Sequence, residues 1–362
     1  MNIKDLKSLP IEARQSSIAC VYACKRKWLL KYRLGITLRG EQIKESANLG
    51  QIYHRFKQLG PGREDEVRKW VRDRQTALMS QVDAGEDLDG TLARLANLLT
   101  ELYHKAEVMA HIFWERFPLP PYLEVIGREI DVSVPISLLG FYSEGSKILI
   151  GGRLDSLLRN KEDGNIWIRD DKSTGRALET VFAGLGWSIQ ARLYRILADH
   201  YLTEGAVRGF IMDGIVKPGI KLCGKDEKTA KAENITPQEA YLRRVRQWYM
   251  EQEGDMDRKM IDSKALIFAE SLYPPELVSA IMMIDTLAKA PCESAHHLES
   301  EFPRDITRQA CMQYETQCEY HDLCDRHPDY WDELFECKYH FIAGDDSEES
   351  TGEIEGAKKG KE

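Results

Sequence analysis

The sequence predicts an α/β (α+β) fold in which helices flank a central sheet. Four segments have the period-two alternation or the short apolar run that is typical of strands, namely residues 122–136, 147–158, 166–172 and 208–217. Segments with helical periodicity precede, interrupt and follow these strands, which favours a sheet with helices over a bundle or a sandwich. A composition of 43% hydrophobic and 30% charged residues over 362 positions excludes a largely disordered or fibrous chain.

Five consecutive regions are predicted along the chain. They are an N-terminal helical segment (1–60), a helical insertion (61–121), a core of strands and helices (122–220), a C-terminal helical region (221–342) and a disordered acidic tail (343–362). The insertion is predicted because leucines recur every three or four residues until a proline-rich stretch ends the pattern. The tail is predicted because its few apolar side chains cannot offset the entropy of ordering.

The net charge of −9 gives the protein no global positive field, so a polyanion would have to be bound by local basic patches. Residues 25–33 form the densest such patch, in which basic side chains alternate with Trp28 and Tyr32. Cations neutralise phosphates and flat rings stack on bases, so these are candidate nucleic-acid contacts: Lys25, Arg26, Lys27, Lys31 and Arg33. Residues 241–249 form a second basic-aromatic stretch. A solvated helix face is the alternative interpretation of either stretch.

The first residues contain no apolar core of signal-peptide length, and no apolar run approaches the roughly 18 residues that a membrane span needs. We therefore expect a cytoplasmic protein without a membrane partner. Eight cysteines occur at positions 20, 24, 223, 292, 311, 318, 324 and 337, so five of them lie in the last fifth of the chain. In a reducing compartment, clustered thiols indicate a metal site or catalysis rather than disulfides.

Charged side chains follow the apolar strand Ile166–Ile168. Side chains two apart on a strand share a face, so Asp170 and Lys172 project together, and a hairpin turn at 160–165 would bring Asp155 beside them. Two carboxylates beside an ammonium can bind Mg²⁺ or Mn²⁺, which acidifies a bound water, while the lysine positions or helps to deprotonate that water. The alternative is a surface hairpin whose ion pairs contribute little.

Three motifs in this order resemble the RecB-like branch of the PD-(D/E)xK nucleases. They are Gly152-x-x-Asp155, Asp170-x-Lys172 and Gln190-x-x-x-Tyr194. The resemblance implies a restriction-endonuclease-like core at 122–220, with a mixed central sheet flanked by helices. It also implies that Asp155, Asp170, Lys172 and Gln190 are catalytic, that Gln190 faces the metal site and that Tyr194 helps to hold nucleic acid.

Two further positions extend this resemblance upstream. Gly50-x-x-x-His54 is similar to a helical segment of these nucleases in which the histidine is a metal ligand, so the implied metal ligands are His54, Asp155 and Asp170. Glu129 is similar to a family glutamate near the site and is the fourth implied metal ligand, with Glu124 as the alternative match. Without the downstream motifs, a hydrogen-bonded histidine on an ordinary helix would be the better interpretation of His54.

The segment around Cys24 is similar to the N-terminal segment of the iron–sulfur members of this family, which include the CRISPR-associated RecB-like exonucleases and the AddB nuclease domain. Lys25 stands where those members usually have proline. The resemblance implies a structural [4Fe-4S] cluster that joins the N- and C-terminal segments through Cys24, Cys311, Cys318 and Cys324. The alternatives are Cys20 or Cys337 in place of one of these ligands, Zn²⁺ in place of the cluster, and thiols without metal.

Together these observations predict a metal-dependent DNA nuclease, and the resemblance favours an exonuclease that acts on single-stranded or unwound DNA ends in a bacterial, archaeal or phage-infected cell. One alternative is a catalytically silent scaffold of the same fold that binds DNA or proteins in a recombination, phage or CRISPR-adaptation complex. A second alternative is a zinc- or cluster-dependent redox or regulatory protein in which the carboxylates are incidental.

Overall fold

The computed structural model of the protein describes residues 11–38, 44–85, 90–139, 148–202, 207–252, 259–268, 275–290, 300–303, 311–313, 316–325 and 335–337. The chain divides into two compact units. Unit 1 contains Met1–Gly40, Pro135–Ile150 and Pro275–Glu362, and unit 2 contains Glu41–Val134 and Gly151–Pro274. The predicted C-terminal region is thus divided between the two units, and the predicted tail lies outside the described residues.

Unit 2 is built on a mixed sheet. Its strands, in the order in which they lie side by side, are β3 (Leu123–Pro135), β4 (Leu149–Asn160, in this unit from Gly151), β5 (Ile166–Thr174), β6 (Val207–Val216) and β7 (Ile261–Ile267). The pair β4/β5 is antiparallel, β5/β6 is parallel and β6/β7 is antiparallel. The four predicted strands and the mixed sheet are confirmed.

The hairpin between β4 and β5 closes as the turn residues predict. Gly164 N donates to Asn160 O at 2.8 Å, and the φ of Gly164 is +73°, in the left-handed region that favours glycine. The register pairs Ser156 with Arg169, which brings the motif residues of β4 and β5 to the same end of the hairpin.

Strand β7 is an exception to the prediction that the C-terminal region 221–342 is helical. It pairs with β6 from Gly209↔Ile267 to Ile215↔Ile261 and lies at the end of the strand order in the described part of the sheet. Most of its side chains are exposed or half-buried. The segment therefore lacks the apolar alternation by which a strand with one buried face is found in a sequence.

Helices cover the sheet of unit 2. The crossover from β5 to β6 contains α6 (Leu178–Ala183) and α7 (Ile189–Tyr201), and both helices pack on β6. Ahead of the sheet, α3 (Glu45–Leu59) packs against β5 and also against α4 (Glu64–Asp83) and α5 (Thr91–Arg116), which are the two helices within residues 61–121. The last two helices of the unit are α8 (Gly224–Glu233) and α9 (Pro237–Gln252).

Unit 1 joins distant parts of the sequence. Its helices are α1 (Gln15–Ala23), α2 (Lys25–Trp28), which continues as a π-helical turn, α10 (Pro275–Lys289) and α11 (His321–Asp325). Short strands pair as β1 (Glu12–Ala13) with Leu149–Ile150, β2 (Ile36–Leu38) with β10 (Phe335–Cys337), and β8 (Met312–Gln313) with β9 (Thr316–Gln317). No helix in the described ranges is long and apolar enough to cross a membrane.

Two arginines of the predicted nucleic-acid patch are buried inside unit 1. Arg26 is 3% exposed and donates from Nε to Phe302 O at 2.8 Å. Arg33 is 8% exposed and donates from Nη1 to Leu287 O at 2.8 Å and Ala290 O at 2.7 Å. Both guanidinium groups therefore satisfy backbone carbonyls, and this burial contradicts the DNA contact predicted for Arg26 and Arg33.

Candidate active site

Two aspartates meet where β4 and β5 separate. The register pair of the hairpin that lies farthest from its turn is Ser156 with Arg169, and Asp155 precedes Ser156 by one residue on β4 while Asp170 follows Arg169 by one residue on β5. Asp155 Oδ2 accepts a 2.9 Å hydrogen bond from the backbone N–H of Asp171, which fixes this carboxylate against the neighbouring strand. The predicted juxtaposition of Asp155 with the Asp170-x-Lys172 motif is thus present in the structure.

Asp170 is 1% exposed and lies between an ammonium and an amide. Lys172 Nζ is 2.8 Å from Asp170 Oδ2, and Gln190 Nε2 on α7 donates to Asp170 Oδ1 at 2.8 Å. The Lys172 contact is an ion pair that leaves Oδ2 without an aligned hydrogen bond. Burial raises the pKa of Asp170, although Lys172 opposes this shift.

The surroundings of Asp155 disfavour its ionised form more strongly than those of Asp170 do. Burial raises the pKa of Asp155 well above its usual value, and the negative charges of Asp170 and Asp171 raise it further. Two adjacent carboxylates that share few cations are stabilised by any positive charge brought between them. The pair therefore has the electrostatic character of a cation site.

His54 on α3 faces these carboxylates. Its Nδ1 atom is 3.6 Å from Asp155 Oδ2. Burial lowers the pKa of His54, with Lys172 and Lys217 acting in the same direction against Asp171 and Asp170. A neutral imidazole is the form that can donate a lone pair to a metal, so the structure brings His54 to the site in the appropriate state.

The glycine of the Gly152-x-x-Asp155 motif allows α7 to approach β4. A Cβ atom at Gly152 would lie 2.9 Å from Leu197 Cδ1 and 3.0 Å from Tyr194 Cε1, which is closer than packed carbon atoms come. Tyr194 is 9% exposed and packs on Phe210, with ring centroids 6.5 Å apart. Burial raises the pKa of Tyr194 to about 12, so the phenol stays protonated beside the carboxylates.

Neither candidate glutamate contacts the aspartate pair in the described structure. Glu129 lies 3.7 Å from Arg153 Nη1, and Glu124 lies 3.7 Å from Arg159 Nη1. Glu129 has a φ of +48°, in the left-handed region that non-glycine residues rarely adopt, which marks an irregularity in β3. Burial raises the pKa of Glu129 above its usual value.

A buried ionic network lies on the other side of β5 and was missed by the sequence analysis. Lys57 Nζ on α3 is 3.1 Å from Asp171 Oδ1 and 3.8 Å from Asp213 Oδ2, and it lies 3.4 Å from the centre of the Phe113 ring. Asp213 is also paired with Arg169 and accepts a 2.6 Å hydrogen bond from Ser263 Oγ. The network fixes the helix that carries His54 to the strand that carries Asp170.

In this network two cations, Lys57 and Arg169, pair with two buried carboxylates, Asp171 and Asp213. Burial alone would raise the pKa of Asp171, but Lys57 and Arg169 outweigh burial and lower it below the usual value. Asp171 is therefore ionised and committed to Lys57, whereas Asp155 and Asp170 carry raised pKa values. One sequence signal was available, because Asp213 is the only acid in the strand 207–216, whose other residues are apolar or glycine apart from Arg208.

A family model for the PD-(D/E)XK nuclease superfamily matches residues 15–325, which is most of the chain. The protein belongs to the PD-(D/E)XK nuclease superfamily. No curated protein matches it. Membership identifies a nuclease, typically dependent on Mg²⁺ or Mn²⁺, and it agrees with the mixed sheet flanked by helices.

The donor set of this PD-(D/E)XK chain fits a hard divalent cation. Two carboxylates and one neutral imidazole converge, and Asp170 Oδ2 has no aligned hydrogen bond. Among the described residues, no three His, Cys, Asp or Glu side chains already form a metal-binding group. Mg²⁺ commonly takes only one or two carboxylates, with waters and substrate oxygens in the other positions, so a closed protein cage is not required.

In unit 1 of this nuclease, five cysteine thiols take part in electrostatic interactions that shift the pKa values of two of them. Burial raises the pKa of Cys324 to about 11, and the neighbours that act on it include Cys24, Cys318 and Cys311. Burial also raises the pKa of Cys20 to about 12, with contributions from Cys24 and Cys318. The four predicted cluster ligands and Cys20 thus act on one another electrostatically, but among the described residues no three thiols form a group placed to hold a metal ion. The side chain of Cys337 lies outside the described part of the chain.

Proposed function

We propose that the protein is a metal-dependent DNA exonuclease that hydrolyses phosphodiester bonds at single-stranded or unwound DNA ends. The observation that carries the proposal is the meeting of Asp155 and Asp170, with Lys172 Nζ 2.8 Å from Asp170 Oδ2. DNA as the substrate and attack from an end are supported by the resemblance of the three motifs to the RecB-like nucleases.

The proposed roles use the geometry of this chain. Asp155 and Asp170 would hold Mg²⁺ or Mn²⁺ together with His54, and the bound cation would supply an acidified water and stabilise charge on the phosphate. Lys172 would orient the attacking water or donate to a phosphate oxygen. Gln190 would hold Asp170 in one rotamer through its 2.8 Å hydrogen bond. Glu129 keeps a role only if it moves away from Arg153.

The exposure of the side chains supports the predicted DNA contacts of Tyr194 and of three lysines to different degrees. The low exposure of Tyr194 supports a role in positioning Gln190 and α7 more than a direct contact with DNA. Lys27 and Lys31 lie 3.6 and 3.2 Å from Glu319 Oε1 and are partly exposed, and Lys25 is half-buried. These three lysines keep the proposed contact with nucleic acid.

The proposal includes a structural [4Fe-4S] cluster held by Cys24, Cys311, Cys318 and Cys324. The mutual proximity of these thiols supports it, because four thiolates are the usual ligands of such a cluster. The cluster would stabilise unit 1 by linking its early and late segments. Zn²⁺ on the same thiols is the competing occupant, and iron and zinc analysis of protein purified without oxygen separates the two.

The deciding experiment is a time course on end-labelled single-stranded, duplex and circular DNA with Mn²⁺, Mg²⁺ or EDTA. Progressive shortening of linear DNA only with metal, lost in Asp170→Asn and retained in Glu162→Gln, would support the exonuclease. Glu162 is a matched control because it is an exposed acid in the hairpin turn of the same unit. Cleavage of circular single strands at the same rate would replace the exonuclease by an endonuclease.

The competing proposal is a catalytically silent scaffold that binds DNA or proteins in a recombination, phage or CRISPR-adaptation complex. The electrostatic strain on Asp155 and Asp170 argues against it, because a scaffold has no need of two adjacent buried carboxylates. Binding without cleavage of any DNA in the same assay would favour the scaffold. For either function we propose that the protein acts on DNA in the cytoplasm of a bacterial, archaeal or phage-infected cell.

A further inference from the structure

Helix α3 packs along the end of β5 with three contacts on one side, which are spaced two helical turns and then one turn apart. Lys57 contacts Asp171, a side chain at Gly50 would contact Ser173, and Ser46 contacts Lys217 just after β6. Residue numbers fall along α3 as they rise along the strands, so the helix and strands run in opposite directions. His54 lies between the first two of these contacts, and the last one extends the row beyond it.

Lys217 is held by its backbone and by the start of α3. Its N–H donates to Thr174 O at 2.6 Å, and its Nζ donates to Ser46 O at 2.8 Å and to Ser46 Oγ at 3.1 Å. An ammonium has three protons to donate, and these contacts use two of them. Within the described residues, no carboxylate pairs with Lys217 and no third acceptor contacts its Nζ.

Within the described residues, the lack of a paired carboxylate distinguishes Lys217 from the other two lysines of the site. Lys57 is paired with Asp171, and Lys172 is paired with Asp170. Lys217 is half-buried with no such partner, and burial lowers its pKa without an opposing carboxylate. A partly desolvated cation without a protein anion gains more from an external anion than a paired surface lysine does.

Gly50 explains how the ammonium comes so close to α3. A Cβ atom at this position would lie 3.3 Å from Lys217 Nζ and 3.3 Å from Ser173 Oγ. The absence of a side chain at Gly50 therefore leaves room for the ammonium and the hydroxyl against the helix. Gly50 and His54 are four residues apart on one helical face, so this group adjoins the proposed metal site.

We propose that Lys217 Nζ and Ser173 Oγ bind a non-bridging oxygen of a DNA backbone phosphate that neighbours the phosphate being cleaved. The inference rests on the proposed function, since it names a substrate contact of the same site. A phosphodiester fits because it brings one negative charge and two acceptor oxygens, which match one ammonium and one hydroxyl. The contact would hold the strand in register without taking part in bond cleavage.

The test measures binding of a fluorescently labelled single-stranded oligonucleotide in EDTA, which prevents cleavage, over a range of salt concentrations. Lys217→Gln can still donate to Ser46 O but has lost the charge. We expect it to weaken binding roughly tenfold at low salt and to reduce the slope of log K against log salt by about 0.7, the value for one phosphate contact on a single strand. Lys217→Arg keeps the charge and is expected to keep the slope.

Two more variants make the result specific. Lys228→Gln removes an exposed charge on α8 of the same unit and is expected to behave like the wild type. Ser173→Ala leaves the bonds between Lys217 and Ser46 in place, and it is expected to weaken binding about threefold without changing the slope. Melting temperatures of all variants show whether each one is folded.

Methylphosphonate substitution of single phosphates in the oligonucleotide locates the contact. At one position the neutral linkage should weaken wild-type binding as much as Lys217→Gln does, and the two changes together should not add. The inference is wrong if Lys217→Gln and Ser173→Ala both match Lys228→Gln in affinity and slope while the wild type binds and cleaves DNA. A wild type that binds no oligonucleotide would instead overturn the DNA substrate, and with it this contact.

Discussion

The side-chain amide of Gln190 donates a 2.8 Å hydrogen bond to Asp170 Oδ1, from the first turn of α7 to the strand β5. This bond uses one oxygen of a carboxylate that is 1% exposed, so Oδ2 is the oxygen directed at Lys172. An amide in this position fixes the rotamer of Asp170 without adding charge. In the proposed metal site, it thereby determines that Oδ2 is the oxygen that would face a cation.

We expect Gln190→Ala to lower the cleavage rate, or the apparent affinity for Mn²⁺, by about tenfold to a hundredfold, which is the usual effect of removing a group that orients a metal ligand. The measurement is the cleavage rate as a function of Mn²⁺ concentration. Gln247→Ala, an exposed glutamine on α9, is the matched control. Equal Mn²⁺ dependence of the two variants would show that Gln190 does not orient Asp170.

The ion pair between Lys57 and Asp171 predicts a large effect on stability. Lys57→Met leaves the buried Asp171 without its ion-pair partner and with Arg169 as a remaining nearby cation, so we expect a loss of about 3 kcal/mol in the free energy of unfolding, measured with urea. Adding Asp171→Asn removes the charge that has lost its partner and should restore part of that loss. Lys69→Met on the exposed face of α4 should change stability by less than about 0.5 kcal/mol. A single variant as stable as this control contradicts the prediction.

Close packing at Gly152 predicts a coupled loss of stability and activity. A methyl group there meets Leu197 and Tyr194, so we expect Gly152→Ala to destabilise the protein by about 1–3 kcal/mol and to displace α7 together with Gln190. Urea unfolding and the cleavage rate test the two effects. Gly186→Ala is the control, because nothing lies within 4 Å of the added carbon. Full activity in Gly152→Ala would mean that α7 can move without disturbing Asp170.

The low pKa of Asp226 predicts how the free energy of unfolding changes with pH. Its Oδ2 accepts from Cys223 N and Arg244 Nη2, and the hydrogen bond from Arg244 lowers the pKa of Asp226 to about 2. Since the folded-state pKa lies below the unfolded value, the stabilisation is complete above about pH 4 and is lost as the pH falls towards 2. We expect about 1–2 kcal/mol at pH 7.

The measurement for Asp226 is a comparison of the wild type with Asp226→Asn by urea unfolding at several pH values. The difference in unfolding free energy should be constant from pH 7 to pH 5 and should shrink below pH 4. Asp73→Asn, on the exposed face of α4, is the control for removing an acid. A difference that stays constant down to pH 2 would exclude a charge interaction as its source.

The grouping of thiols in unit 1 predicts that Cys318→Ala harms folding more than chemistry. We expect lower solubility, loss of the bound metal and loss of any visible iron–sulfur absorbance, with the residual folded protein still cleaving DNA. Cys223→Ala is the control, because this cysteine is exposed on unit 2. A soluble, colour-retaining and fully active Cys318→Ala protein would remove Cys318 from the ligand set.

The parts of the site that follow local periodicity were predictable from the sequence. Asp170 and Lys172 share a strand face, and Gln190 and Tyr194 share a helix face. The spacing alone therefore places the two members of each pair side by side. The contacts of Lys57, Asp213 and Lys217 were not predictable, even though Asp213 stands out as an acid in its strand, because these contacts depend on how α3 packs across β5 and β6. No local pattern specifies that packing.

The errors have the same physical origin. Arg26 and Arg33 have the composition of a solvated basic patch, and only the distant carbonyls that accept their hydrogen bonds make them interior residues. Strand β7 has no buried face of its own and is defined by pairing with β6. Such features depend on long-range contacts, which amphipathic patterns within one element do not record.

These two buried arginines also have a consequence for synthesis on the ribosome. Phe302 follows Arg26 by 276 residues, and Leu287 follows Arg33 by 254. At a translation rate of about 5–20 residues per second, the acceptors emerge roughly 10 to 60 seconds after the guanidinium groups. During that interval the N-terminal helices cannot complete their interior, so a chain that stops before Leu287 leaves both cations without their carbonyls and is a target for proteolysis.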